Sequence, residues 1–291
     1  MEQVTTVRAA NQKHENQQGG TSVKLQSQKT IEIKGRVIGG EKYLYCISVR
    51  PDCMATLKTA TAESAAYNPD IMEWRIDSYD KVFHAADEND PQVIEDVLEA
   101  LRTMTDIAEG IPFLICMRAF EEGGVKKYSD AFRYRIYEAC MKTGLVDLVD
   151  IETLGDQDWN RKIIDAAHAN GVTVVCSNHT YTGIIDEEHM IMLCKRNAEA
   201  GGDISKTLVM AKDDRDVAIV ANAMRRVKEE RIIDVPFCFY AMGEAGITTR
   251  VVGGEYGADY AYFSLRETIE GSLGESTADY LGLSDLFARK D

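Results

Sequence analysis

The chain has no run of 18 apolar residues, so the sequence offers no helix able to cross a bilayer. Its first residues lack the apolar core of a secretory signal, and none is expected. Positive charge is also in short supply. Against 48 Asp+Glu stand 33 Lys+Arg, a net charge of −15. That balance argues against a nucleic-acid partner or an anionic membrane surface, both of which need clustered cations. There is no C-x-x-C pair and no Cys/His group at zinc spacing, and the seven cysteines are an odd number. Cys46, Cys116, Cys176 and Cys238 lie inside apolar runs, where cysteine behaves as a small hydrophobe. The pattern favours reduced thiols and a cytoplasmic location over a disulfide scaffold. Neither G-x-G-x-x-G nor G-x-x-x-x-G-K-[ST] occurs, so those fingerprints give no support to nucleotide binding.

What remains is an ordinary globular composition, 45% apolar and 28% charged. Residues 1–30 are rich in Gln, Asn, Thr, Lys and Gly and read as a flexible tail. Ile31, Ile33, Val37 and Ile38 predict a short hairpin with turns near Gly35 and Gly39–Gly40. Eight apolar runs then follow, at Tyr43–Val49, Ile71–Ile76, Phe113–Met117, Val146–Ile151, Val172–Cys176, Ile204–Met210, Pro236–Ala241 and Tyr260–Phe263. Stretches of helical spacing separate them: Met54–Tyr67, Val93–Ile107, Tyr134–Lys142, Trp159–Ala169, His189–Ala200, Val217–Glu229 and Ile247–Tyr256, with a last helix at Leu281–Arg289. Strands apolar on both faces suit a parallel sheet covered by helices. Eight such units predict an α/β protein, a closed (β/α)8 barrel, with an open doubly wound sheet as the alternative. No linker interrupts 31–291, which reads as a single catalytic domain.

In such a barrel the chemistry sits at the C-terminal strand ends. The polar residues there are Ser48 and Arg50 on the first strand, then Glu73, Arg75 and Asp77 at period two on the second. Arg118 ends the third strand and is followed by Glu122–Gly–Gly124. Asp150 and Glu152 mark the fourth, Ser177–Asn–His179 the fifth, Lys206 the sixth, and Arg250 follows the seventh. Lys206 lies in a strand expected to be buried on both faces. Burial disfavours an ammonium, so a neutral, nucleophilic amine able to form imines is one reading. The other is a buried stem whose head pairs with a strand-end carboxylate. His179 ends the neighbouring strand and is the candidate proton shuttle, or else a strand cap. Glu122 can orient that imidazole or be a solvated loop acid. Glu73 and Arg75 can be an internal ion pair, and Arg118 and Arg250 suit a clamp for a substrate carboxylate or phosphate. Asp150 and Glu152 share a face, but no three ligands converge as a metal needs.

Taken in order, these segments resemble type I 3-dehydroquinate dehydratase. Met72–Glu–Trp–Arg–Ile–Asp77 resembles its E-W-R-x-D strand, Arg118 through Gly124 its R-x-x-x-E-G-G, and Val146 through Glu152 its fourth strand. Ser177–Asn–His179 is similar to its S-x-H. Asp203–Ile–Ser–Lys206 with Val209–Met210 resembles D-I-x-K-x-x-V-M, and Met242 through Arg250 resembles M-x-x-x-G-x-x-S-R. The resemblance implies a barrel enzyme without metal or organic cofactor, acting on a small carboxylated cyclic ketone as a homodimer. Lys206 would form an imine with the C3 ketone of 3-dehydroquinate. His179 would remove a C2 proton and protonate the departing C1 hydroxyl, with Glu122 orienting it. Arg250 would bind the carboxylate, and Ser48, Glu73, Arg75 and Arg118 would hold hydroxyls and one another. The product would be 3-dehydroshikimate, in the shikimate or quinate pathway. One segment departs: where the family has a lid written S-A-P-G-Q, this chain reads Glu270–Gly–Ser272–Leu–Gly–Glu275–Ser–Thr277; one reading, by the resemblance, sets Ser272 and Glu275 on the substrate, and the other makes Glu275 a solvated loop charge. The alternatives are a related imine-forming lyase or aldolase for another carboxylated keto substrate, and a homologue that binds ligand without turnover.

Overall fold

The computed structural model describes residues 25–182, 186–263 and 265. The expected helix Leu281–Arg289 and the segment with Ser272 and Glu275 lie outside them, as does the expected tail up to residue 24. The first element is a hairpin of β1 (Ile31–Ile33) and β2 (Arg36–Ile38), paired antiparallel. Lys34 and Gly35 both take positive φ, 47° and 76°, the backbone that a two-residue hairpin loop requires.

Eight parallel strands follow. They are β3 (Leu44–Val49), β4 (Ile71–Arg75), β5 (Phe113–Cys116), β6 (Leu148–Glu152), β7 (Thr173–Thr180), β8 (Ile204–Met210), β9 (Phe237–Met242) and β10 (Tyr260–Phe263). Their order is β10-β3-β4-β5-β6-β7-β8-β9, and β10 also lies beside β9, so the sheet is a nearly closed (β/α)8 barrel rather than an open sheet. The outer layer is α1 (Met54–Ala65), α2 (Asp80–Phe83), α3 (Pro91–Ile107), α4 (Asp130–Met141), α5 (Gln157–Ala169), α6 (Glu187–Glu199), α7 (Asp214–Glu229) and α8 (Ile247–Val251). Five of these helices start earlier than their apolar spacing predicts, because a capping side chain sets the first turn; at α3 it is Asp90, which accepts from the Gln92 amide. Ser129 accepts from the Phe132 amide, Asp156 from Asp158 and Trp159, Asp186 from His189, and Asp213 from Arg215 and Asp216.

Side-chain parity along the strands builds an interior core and two outer ones, one of the outer pair from Val209, Phe237 and Phe239 against α6 and α7. Ile47, Val49, Met72, Trp74, Ile115, Val149 and Ile151 face the helices. Leu44, Cys46, Ile71, Leu114, Cys116, Leu148, Val175, Ile204 and Cys238 fill the barrel interior, with Ile38 of the hairpin packed against them. Ser27 and Lys29, read from sequence as tail, lie against the same end. The Ser27 amide donates to the Gly39 carbonyl, its hydroxyl to Asp259, and the Lys29 amide to the Asp234 carbonyl. Among the described residues no helix is long and apolar enough to cross a membrane.

Candidate active site

The inward row that is apolar at the bottom of the barrel turns polar toward its C-terminal mouth. Two residues beyond Cys46 is Ser48; beyond Ile71 are Glu73 and Arg75; beyond Cys116 is Arg118. Beyond Leu148 are Asp150 and Glu152, beyond Val175 are Ser177 and His179, and beyond Ile204 is Lys206. The period of two that fills the core thus also aims these groups into one space. All but the half-buried Ser48 are buried.

Lys206 is 1% exposed, and its Nζ donates to Asp150 Oδ2 at 2.6 Å. Glu73 Oε1 is 3.8 Å away, and the ammonium lies 3.8 Å from the centre of the Tyr262 ring. Burial opposes the charge, but the Asp150 and Glu73 carboxylates outweigh it and hold the amine above the ordinary lysine range. Of the two sequence readings the structure gives the second: without substrate Lys206 is an ammonium whose head pairs with a buried strand-end carboxylate. Asp150 is the centre of this cluster. Its Oδ1 accepts from Ser177 Oγ at 2.5 Å, and Arg118 Nη2 stands 3.4 Å from Oδ2. Burial alone would raise this carboxyl, yet Lys206 and Arg118 hold it well below the usual range.

His179 lies at the end of β7, one residue before its last, because pairing with β8 continues through Thr180. Its Nδ1 is 2.9 Å from Arg118 Nη1 and 3.1 Å from Glu122 Oε2, and its backbone N–H donates to the same Glu122 oxygen at 2.7 Å. Burial, then Arg118 and Lys206, push the imidazole well below its ordinary pKa, so it is neutral. Glu122 closes the short helical turn Phe120–Glu122, which Gly123 ends at φ 90°. A Cβ on Gly124 would sit 2.3 Å from the Arg118 carbonyl, so this approach needs glycine. Burial and the charge of Glu152 push the Glu122 carboxyl up to about 8. The state of Glu122 selects the imidazole tautomer. Arg118 Nη1 can only donate, so while it meets Nδ1 the ring proton sits on Nε2; an ionised Glu122 can instead take Nδ1–H in place of that contact and leave Nε2 free as a base. A cavity of about 440 Å3, lined in part by Glu122, His179, Arg118, Phe120 and Leu154, opens beside this pair.

The arginines divide into two kinds. Arg75 does not pair with Glu73, as the sequence allowed; its Nε and Nη2 each reach Asp77 at 2.8 Å, and Glu73 Oε2 instead accepts from Ser48 Oγ at 2.5 Å. The Asp77 carboxylate outweighs burial and keeps Arg75 charged. Arg118 meets Glu152 Oε1 at 2.9 Å as well as Asp150, Ser177 and His179, so its guanidinium is occupied within the protein. Glu152 also accepts from Arg133. Arg250 is different. Its guanidinium carbon lies 4.4 Å from the centre of the Tyr240 ring, it donates to the Tyr262 carbonyl at 3.3 Å, and it forms no ion pair among the described residues.

The structure thus brings Lys206, His179, Glu122, Ser48, Glu73, Arg75 and Arg118 to one mouth, with Arg250 against β9 and β10. Ser272 and Glu275 lie outside the described residues. Sequence reasoning saw Asp150 and Glu152 only as a metal alternative. The signal for Asp150 was its inward parity two strands from Lys206. Tyr262 and Tyr240 gave no signal, because in sequence they look like strand core. One group among the described residues, Glu73, Cys116 and Asp150, places three liganding atoms within 4.8 Å, but the Lys206 ammonium is the cation these carboxylates hold.

The sequence profile of the family described as type I 3-dehydroquinase matches residues 45–281. A 3-dehydroquinate dehydratase of Alkaliphilus oremlandii is 29% identical over 243 residues, 82% of this chain and 90% of that one. Another, of Klebsiella pneumoniae, is 30% identical over 209 residues, 72% of this chain and 76% of that one. The crystal structure of 3-dehydroquinate dehydratase from Geobacillus kaustophilus superposes with a TM-score of 0.79 at 26% identity, covering 91% of this chain and 99% of the other.

Proposed function

This chain belongs to the type I 3-dehydroquinase family and dehydrates 3-dehydroquinate in the shikimate pathway, and we propose that it does so through an imine on Lys206. The observation that carries this reading is the Lys206 amine inside the barrel, 1% exposed and ringed by Asp150, Glu73 and Tyr262, with a neutral imidazole at the same mouth.

The steps follow from the groups present. Lys206 gives up a proton and its amine adds to the C3 ketone; loss of water leaves an iminium. That cation acidifies C2, because it accepts the electron pair released there. His179, with Glu122 ionised and Nδ1–H held, takes a C2 proton on Nε2. The enamine then expels the C1 hydroxyl, which takes the proton from His179 and leaves as water. Hydrolysis of the remaining imine releases 3-dehydroshikimate and the amine. Arg250 supplies the cation for the substrate carboxylate, since no protein acid among the described residues occupies it. Ser48, Glu73 and Arg75 hold hydroxyls, and Arg118 keeps Asp150, Glu152 and His179 in place.

Residues 31–291 form one catalytic domain in this reading, working as a homodimer in the cytoplasm. The seven free cysteines support a reducing location. The test is borohydride added with 3-dehydroquinate. A mass increase on Lys206 together with dehydroshikimate absorbance supports the imine dehydratase; turnover without any adduct on Lys206 overturns the imine.

A further inference from the structure

Of the arginines at the mouth, Arg75 is neutralised by Asp77, and Arg118 and Arg133 by Asp150 and Glu152. Arg50 is not. It directly follows β3, and since Val49 pairs with Trp74 in parallel register, Arg50 stands beside Arg75 at the rim. Solvent reaches it, and among the described residues it makes no hydrogen bond or ion pair. Protein atoms crowd the guanidinium although it is exposed. That crowding, then the like charge of Arg75, draws its pKa down to about 10, which leaves it cationic at neutral pH. Asp77 and Glu73 offset part of this, and Arg118 adds to the repulsion.

An unpaired cation in that position is costly, because the like charge of Arg75, its register neighbour, acts on it more strongly than either carboxylate. It is also the exposed counterpart of Arg250, which lies buried against β9 and β10 without an ion pair among the described residues. The chain as a whole carries −15, so its long-range field repels a carboxylate. A cation at the rim reverses that field locally, and one deeper in the barrel takes over when the ligand is seated.

We propose that Arg50 is an outer anion-capture residue, which holds the carboxylate of the incoming ligand at the rim before that carboxylate reaches Arg250. The identity of the ligand rests on the dehydration of 3-dehydroquinate; the capture role rests on Arg50 itself. Capture acts on encounter and binding and leaves the bond-breaking steps alone.

The test compares the full chain with Arg50→Met and Arg50→Lys in two assays. One is turnover of 3-dehydroquinate. The other is calorimetric binding of quinate, which has the ring and carboxylate but no ketone, and so binds without an imine. At low ionic strength Arg50→Met should lower kcat/KM and quinate affinity by about tenfold, a size typical of electrostatic steering, with kcat held within about twofold. Arg50→Lys should recover most of the loss. The gap between Met variant and parent should close at about 1 M salt, where the Debye length is about 3 Å. Equal quinate affinity and kcat/KM in parent and Met variant at low salt overturn the proposal, and so does a fall in kcat alone. A salt-dependent quinate effect in a chain without turnover keeps the capture role and overturns the assigned reaction. If Arg50→Met does not fold, Arg50→Gln replaces it in the same comparison with Arg50→Lys.

Discussion

Lys206 Nζ lies 2.6 Å from Asp150 Oδ2, and this ion pair sets the protonation state from which the reaction starts. An ammonium cannot attack a ketone, so the amine must be released from Asp150 as substrate enters. Glu73 Oε1, 3.8 Å from the same nitrogen and without a hydrogen-bond partner among the described residues, is a second carboxylate in reach of that proton.

Lys206→Ala should remove dehydration, with less than about a hundredth of the parent rate left, since loss of a nucleophile commonly has a far larger effect. It should also destabilise the fold, because among the described residues Asp150 is left buried with Arg118 as its one cationic partner beside the Ser177 hydroxyl. Breaking a buried pair typically costs about 3–5 kcal/mol. Lys206→Ala/Asp150→Asn should recover part of that loss. Thermal melts of the two variants check the point; a melting temperature of Lys206→Ala equal to the parent contradicts it.

Asp150→Asn should move the pH dependence of imine trapping to lower pH. Its carboxylate is what holds the lysine above its ordinary range, so removing it lets the amine deprotonate earlier. Borohydride trapping across pH measures this, and an unshifted profile would assign the effect to Glu73.

His179→Ala should slow dehydration by at least about a hundredfold, the usual scale of general acid–base catalysis. The imine should still be trapped on Lys206, because the nucleophile is untouched. An unchanged kcat would place the base elsewhere.

Glu122→Gln tests the dyad through pH. Folding raises this carboxyl from 4.5 to about 8, so the folded chain holds a proton that the unfolded chain has lost between those values. The stability this contributes is full below 4.5 and is lost as pH rises through about 8. The Gln variant cannot ionise, so its melting temperature relative to the parent should climb over that window. In turnover the ionised Glu122 is the productive form, so parent kcat/KM should rise as pH passes about 8 and the Gln variant should lose that limb. A limb retained in Glu122→Gln sinks this assignment. The imidazole itself should give no limb near its ordinary value, since burial and Arg118 have moved it well below.

The sequence by itself determined the order and number of barrel strands, because short apolar runs between helical stretches need only local pattern. It also determined which residues face inward: Glu73 and Arg75 on one row, Asp150 and Glu152 on another, Ser177 and His179 on a third. Helix starts were less legible, because spacing marks the packed face while the cap lies a turn earlier, as at Asp213. Only the tertiary structure decided the charges. Lys206 and Asp150 stand 56 residues apart in sequence, and nothing local tells a buried lysine whether a carboxylate will meet it. Arg118 reads in sequence as a ligand clamp, yet Glu152 and Asp150 meet it inside the barrel, whereas Arg50 and Arg250 keep their charge unpaired among the described residues. The physical reason is that Coulomb energy depends on through-space distance and on burial, and both are set when the barrel closes.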